Sequence, residues 1–338
     1  MNTPPASPGT VVGLKPWFPW PLSRWTWWTQ PVPAERLAAL RIGLATVLLI
    51  DVVFTYLPMG TVFFGGDSLG SPSIFAYLYK SPSCLWSLLK DVEDSRRIQA
   101  SLFVWTVAIV MLLMGFWTRP SAVVVWLLST SFANLNSAID NAGDQVRGII
   151  LFYLMLCPCG AAWSMDAWLK RRRGLLKGPA YVYPWPLRLL FLQMTLIYFF
   201  NGLYKASGKD WIEGNSLYYV LGDLTLARWS YVQLPIPPIL LRLASWFVLS
   251  WEVSFPLLVS WKPTRILALW VGVLFHIGIG LSMELGGFAF YMLCLYLPLV
   301  PWERWTWTKE RSLFQPTPSR LTNQRSNPPD PAPSALPQ

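Results

Sequence analysis

The sequence predicts an all-α fold, a polytopic transmembrane helix bundle of about eight helices with both termini on the cytoplasmic side. Three observations lead there. Of 338 residues, 54% are hydrophobic and only 13% charged, against roughly 25% charged in an ordinary soluble domain. Several stretches of about 20 residues are apolar on every side, which suits hydrocarbon rather than a soluble core with amphipathic stripes. Twenty-one tryptophans suit the headgroup zone, where the indole ring is welcome and its N–H finds a partner.

Apolar windows place helices at about 35–57, 97–117, 120–139, 145–164, 187–206, 239–260, 264–284 and 286–301. Lys and Arg stay preferentially on the cytoplasmic side of short loops. The densest cluster is Lys170, Arg171, Arg172, Arg173 and Lys177. With that cluster inside, Arg119, Lys262, Arg265, Arg304, Lys309 and Arg311 also fall inside. Segments 58–96 and 207–238 then lie outside, with the acidic turn of Asp140 and Asp144. Three regions follow: a Trp/Pro-rich interfacial segment (1–34), the transmembrane domain (35–302) and a disordered cytoplasmic tail (303–338). The tail is rich in Pro, Ser, Asn and Gln and too poor in apolar periodicity to offset its ordering entropy. The first 34 residues have no apolar stretch before a small-residue cleavage site, so no cleaved signal peptide is expected. A plasma (inner) membrane location, multi-pass, is the expectation.

The formal charge is +10, yet no basic stripe accompanies a nucleic-acid module, so nucleic acid is not an expected partner. Cys84, Cys157, Cys159 and Cys294 are too few and too scattered for a disulfide framework. Cys157-Pro158-Cys159 could in principle bind a soft metal or cycle with a disulfide. A helix-terminating proline with incidental thiols is the simpler reading, and no metal is expected. The absence of GxxxxGK[ST], HExxH, GxSxG and dinucleotide fingerprints removes the common nucleotide, zinc-protease and serine-hydrolase readings.

A charge at mid-membrane costs roughly 2.5 to 3.5 kcal/mol on insertion scales, so intramembrane charges face the bundle interior. Arg41 and Asp51 stand ten residues apart, about 15 Å along a helix axis. They cannot pair with each other, and each needs a partner on another helix or a route to the interface. In the fifth helix Thr195, Tyr198, Asn201 and Lys205 recur at i, i+3, i+6 and i+10, a polar stripe on one face. Lys205 either snorkels to water or sits partly dehydrated, where a lysine can serve as a general base near neutral pH. Glu252, in the sixth helix, has Lys205 or Arg242 as its natural partner. In the seventh helix Gly272, His276, Gly280 and Glu284 recur every four residues, so two glycines open a face for close packing on either side of the only histidine. His276 either hydrogen-bonds a neighbour or lines a functional site.

These residues also carry a family resemblance. RIGLATVLLID is similar to the Arg-x-x-x-G segment ending in an acid of the HTTM membrane domain family, which includes the vitamin K-dependent gamma-carboxylases. IDNAGDQVRGIILFYLMLCPCGAAWSMDAW resembles the family's Asn-containing turn and apolar helix. IYFFNGLYKASGKDWIEGNSLYYV resembles a helix ending in lysine that leads into D-W-x-x-G and aromatics. FHIGIGLSMELGGFAFYMLCLYLP resembles the paired terminal helices. The resemblance spans about residues 35–302. It implies a short member without the large soluble C-terminal domain, using a reduced, vitamin K-like quinone. In the carboxylases the corresponding lysine deprotonates vitamin K hydroquinone, and oxygen then converts this to a base strong enough to take a glutamate γ-proton. The resemblance gives that catalytic place to Lys205, with His276 as the second catalytic candidate and Asn201, Tyr198, Glu252 and Trp211 lining the site. Asn141-Ala142-Gly143-Asp144 lacks the histidine that the carboxylases carry in their turn. Membrane lipid and an exported protein or peptide on the outer side are the implied partners. The alternative is a non-catalytic accessory or maturation factor, or a lipid-binding or transport protein.

Overall fold

The computed structural model describes residues 28–64, 86–89, 92, 94–136, 139, 141–229 and 233–304. Cys84, Asp140, most of the N-terminal segment and the tail from 305 onward, with Lys309 and Arg311, lie outside the described residues. The chain divides into two units, Met1–Trp302 and Glu303–Gln338, and every element described below belongs to the first.

Helix α1 runs from Glu35 to Phe63 and is interrupted by one π-helical stretch, Val52–Tyr56. α2 (Ser95–Met114) and α3 (Thr118–Ala133) pack as neighbours, followed by α4 (Ala142–Leu156) and the short basic α5 (Met165–Arg172). α6 (Trp185–Ala206) leads through two short helices, α7 (Lys209–Glu213) and α8 (Ser216–Gly222), to α9 (Pro238–Ser260) and α10 (Lys262–Ser282). α11 (Phe288–Cys294) and a 3-10 turn at Leu297–Leu299 close the unit. The all-α bundle is as expected, with one addition: Val32 and Pro33 pair antiparallel with Val182 and Tyr181.

Every apolar window holds a helix, and among the described residues five helices are long and apolar enough to cross a membrane: α1, α2, α6, α9 and α10. The others expected to span are shorter. α4 stops at Leu156 rather than near 164, because Cys157 precedes Pro158 and is extended (φ −89°, ψ 152°), as the residue before proline prefers. α3 stops at Ala133 and α10 at Ser282, so Glu284 leaves the helical stripe on which its spacing would place it.

Local chemistry sets the helix ends. α2 ends on Gly115 in the left-handed region (φ 68°), where glycine bears no Cβ penalty. The Asp166 carboxylate accepts from the Trp117 and Thr118 amides at 3.0 and 2.8 Å and from the Thr118 hydroxyl at 2.6 Å, capping α3 from across the turn. Asn141 and Asp144 form a capping box at the start of α4.

Arg41 is fully buried in α1, and its guanidinium joins chain ends. Nε donates to the Cys159 carbonyl at 3.1 Å and Nη1 to the Leu112 and Leu113 carbonyls at 2.6 Å each. Nη2 donates to the Trp163 carbonyl. Carbonyls at a helix end have no intrahelical donor, so Arg41 ties the end of α2 to the loop after α4.

Candidate functional site

α6 and α9 lie side by side. Gly202 permits this, since a Cβ there would fall 2.8 Å from the Val253 amide nitrogen and 3.0 Å from the Glu252 carbonyl carbon. Lys205 follows Gly202 by three residues, on the same helical face, and so arrives directly at Glu252. Its Nζ lies 2.6 and 2.7 Å from the two carboxylate oxygens. Their side chains are 19% and 4% exposed, so the pair is mostly removed from solvent. Trp211, on the first turn after α6, sets its ring 4.8 Å from Nζ, within cation–π range. Glu252 thus takes Lys205 of its two candidate partners, and Arg242 instead donates to Asn215 Oδ1 at 3.3 Å.

Lys205 and Glu252 form one wall of a cavity of about 270 Å³ between α4, α6, α9, α10 and α11. Tyr198, Asn201 and His276 line it, together with Gln145 of α4, Phe275 and Phe288. Five of the six residues singled out from the sequence therefore face one space, and the sixth, Trp211, covers the lysine. Thr195, the remaining member of the α6 stripe, turns back to the Phe191 carbonyl at 2.9 Å. Asn201 Nδ2 donates to the Ile197 carbonyl of its own helix at 2.8 Å.

His276 also lines the cavity, and its Nε2 is 2.7 Å from the Tyr198 hydroxyl, which is 2.7 Å from the Tyr296 hydroxyl. His276 is 1% exposed, and its Nδ1 has no hydrogen-bond partner among the described residues. The glycine face acts as its spacing suggests. A Cβ on Gly272 would fall 2.0 Å from the Tyr296 oxygen, and one on Gly280 3.4 Å from the Ala289 Cβ. Glu284, beyond the helix, ion-pairs with Arg228 at 3.2 Å.

A second polar cluster stands next to the cavity. Arg147, completely buried, approaches Asp144 at 2.6 Å and Asp51 at 3.2 Å. Its Nη2 donates to the Tyr56 hydroxyl at 3.1 Å, and Tyr56 in turn donates to Asp144 at 3.1 Å. The Tyr291 hydroxyl donates to Asp51 at 2.8 Å. The π-stretch explains how Asp51 and Tyr56 both reach Arg147. Bonding from i to i+5 fits one more residue into the turn, so residues five apart stack where α-helical geometry would splay them. Asp144, in the turn that opens α4, is 6% exposed and locked into this cluster. The local signal for it was the Asp144-x-x-Arg147 spacing. Tyr291, Tyr296, Gln145 and the two cavity phenylalanines carried no sequence signal of a site.

A bundle of apolar helices, five of them long and apolar enough to cross a membrane among the described residues, with two clusters of ionisable side chains in its interior, defines a multi-pass membrane protein. Its family is shown by comparison with known proteins: the HTTM domain model matches residues 29–305, and the chain belongs to the HTTM domain family. A relative from Bacillus subtilis (strain 168), the uncharacterized protein YitO, is 24% identical over 216 residues, which cover 59% of this chain and 68% of the relative. No solved structure matches.

Proposed function

We propose that this protein is a membrane enzyme acting on a lipid-soluble quinol, with Lys205 as general base and His276, Tyr198, Asn201 and Glu252 lining the pocket. The observation that carries the reading is the direction of Lys205. It faces a cavity lined also by Tyr198, Asn201 and His276 and contacts Glu252, rather than reaching unpaired toward a headgroup zone.

The residues suit a reduced quinone because they offer an ionisable pair, Lys205 and Glu252, in a cavity lined also by Tyr198, Asn201, Phe275 and Phe288. The Lys205–Glu252 pair holds one proton between an amine and a carboxylate. When that proton rests on Glu252, the amine is free to take a hydroxyl proton. The resulting ammonium then stands beside the oxyanion it has produced, and that charge pairing stabilises it. Trp211 holds Nζ in place by its ring face. A reduced quinone bound there would supply, with oxygen, a base stronger than any side chain.

The family resemblance further supports a plasma (inner) membrane location, lateral entry of the quinol from the bilayer, and an exported protein or peptide as partner on the outer side, where the charge distribution puts Lys205. The experiment is oxygen-dependent oxidation of a reduced isoprenoid naphthoquinone by the purified protein in lipid nanodiscs, native against Lys205→Ala, with quinone epoxide as readout. Epoxide from the native protein and none from a folded variant supports the reading. No epoxide from folded native protein, across several quinols, refutes it and favours a non-catalytic accessory or lipid-binding role.

A further inference from the structure

We propose that the cleft between α1 and the turn joining α10 to α11 binds a lipophilic amine, its ammonium held on Asp51 Oδ1 and its apolar body lying against Phe54 and Phe290. This cleft is separate from the cavity that holds Lys205, and it stands whether or not that cavity takes a quinol.

The cleft encloses about 240 Å³. Val47, Ile50, Phe54 and Phe290 give it apolar walls, and Gly286 and Gly287 form the edge away from α1. Ile50, Phe54 and Phe290 are exposed, so these walls run on into the apolar outer surface of the bundle. The polar side chains in the lining are Asp51 and Thr55, four residues apart on α1.

Asp51 has one oxygen to spare. Its Oδ2 accepts from Arg147 Nη1 at 3.2 Å and from the Tyr291 hydroxyl at 2.8 Å. Gly287 permits the second contact, since a Cβ there would fall 2.6 Å from the Tyr291 ring. Oδ1 accepts from nothing among the described residues and keeps accessible surface. The side chain is 16% exposed, and the residue lines this cleft. A free acceptor therefore stands among apolar walls.

The charge behind the cleft selects the ligand. Arg147 is shared between Asp51 and Asp144, so two carboxylates face one guanidinium and the cluster is formally one unit negative. A charge mostly removed from water calls for a counter-charge. Asp144 is engaged on both oxygens, Oδ1 by Tyr56 and Arg147 and Oδ2 by the Asn141 amide, which leaves Asp51 Oδ1 as the open place. A calcium or magnesium ion would want about six oxygen ligands, and this lining offers two polar side chains. An ammonium is satisfied by fewer acceptors, forms a charge-assisted hydrogen bond, and brings its own apolar body to the walls. Depth argues against a phospholipid amine. Asp51 stands sixteen residues from Glu35 and twelve from Phe63, the ends of α1, about 24 and 18 Å along the axis. A headgroup amine is tied to a phosphate, which suits neither that depth nor a negative cluster.

The test uses the full chain in phosphatidylcholine nanodiscs. The probe is a long-chain primary amine with a photoreactive diazirine in its chain, the control is the matched alcohol, and cross-linked peptides are read by mass spectrometry. The amine should label residues 47–55 and 286–290 and be displaced by unlabelled dodecylamine. Asp51→Asn should lower that labelling about tenfold or more, the worth of a hydrogen bond to a charged group, and leave labelling by the alcohol unchanged. Asparagine keeps an oxygen for Tyr291 and Arg147. Thr55→Phe narrows the cleft without touching the Arg147 cluster and should also reduce labelling by the amine, so the result does not hang on the folding of one variant. Equal labelling by amine and alcohol, or labelling by the amine that survives Asp51→Asn in folded protein, overturns the site. Displacement of the probe by phosphatidylethanolamine in the nanodisc, or by sodium at constant ionic strength, overturns the choice of ligand.

Discussion

Removing one partner of the Lys205–Glu252 pair is the sharpest stability test of the site. Breaking a buried ion pair from one side costs about 3–5 kcal/mol, because the remaining charge loses its partner without regaining water. The two sides differ here. Glu252→Gln leaves an ammonium whose side chain is 19% exposed and still covered by Trp211 at 4.8 Å, which puts the loss near the lower end, about 3 kcal/mol. Lys205→Met leaves a carboxylate that is only 4% exposed, which puts the loss near the upper end, about 5 kcal/mol. The double variant strands no charge and should cost no more than the milder single variant, about 3 kcal/mol or less, so the cycle closes with a coupling of at least about 5 kcal/mol. Reversible unfolding in bicelles, by steric trapping or by titration with a denaturing detergent, gives all four corners. Additivity within about 0.5 kcal/mol would mean that the two groups do not interact, and the argument for a paired, dehydrated lysine would fall.

Arg147→Met strands Asp51 and Asp144 together and should be the most damaging of the single charge deletions, with loss of folded protein at room temperature; recovery of native thermal stability would refute the cluster. Gly272→Ala drives a Cβ to 2.0 Å from the Tyr296 oxygen, so overpacking should lower stability by about 1–3 kcal/mol and displace Tyr296 from Tyr198. Nitrogen-15 NMR of the single histidine reports that displacement independently. Asp166→Ala removes the cap of α3 and should cost about 0.5–2 kcal/mol with no effect on quinol chemistry, which separates fold from site in the epoxide assay.

Much of this was legible along the chain, and what was not has a physical reason. The ten-residue spacing of Arg41 and Asp51 forbade their pairing, and each indeed finds other partners: Arg41 the carbonyls of a helix end and a loop, Asp51 the Arg147 guanidinium. The α6 stripe foretold that Tyr198, Asn201 and Lys205 would share a space, because one helix face is a local property. Glu252 had two equally good cations in the sequence, and only the close approach at Gly202 decides between them. Tyr296 could not be found, since it meets Tyr198 across 98 residues and its own surroundings read as apolar helix. The end of α4 was misjudged because apolar composition runs on past Pro158, whereas the backbone cannot. The eight expected spans and the five long apolar helices differ for a related reason: hydropathy sees the apolar stretch but not where turn residues cut it.

The π-stretch at Val52–Tyr56 has a consequence for how this protein tolerates change in length. Deleting one residue there would restore an unbroken α-helix with every backbone bond made, so α1 itself would lose nothing. Because the π turn fits one more residue into about the same rotation, everything after the deletion would keep its phase about the axis relative to everything before it. With Arg41 held by the end of α2, the ring of Tyr56 would stay on the side of Arg147 when the residue removed is Val53 or Phe54. The extra residue is therefore absorbed within the turn rather than passed on to the second half of α1. Deletion of the exposed Val53 or Phe54 should be tolerated far better than deletion of Tyr56, which removes the hydroxyl shared with Arg147 and Asp144.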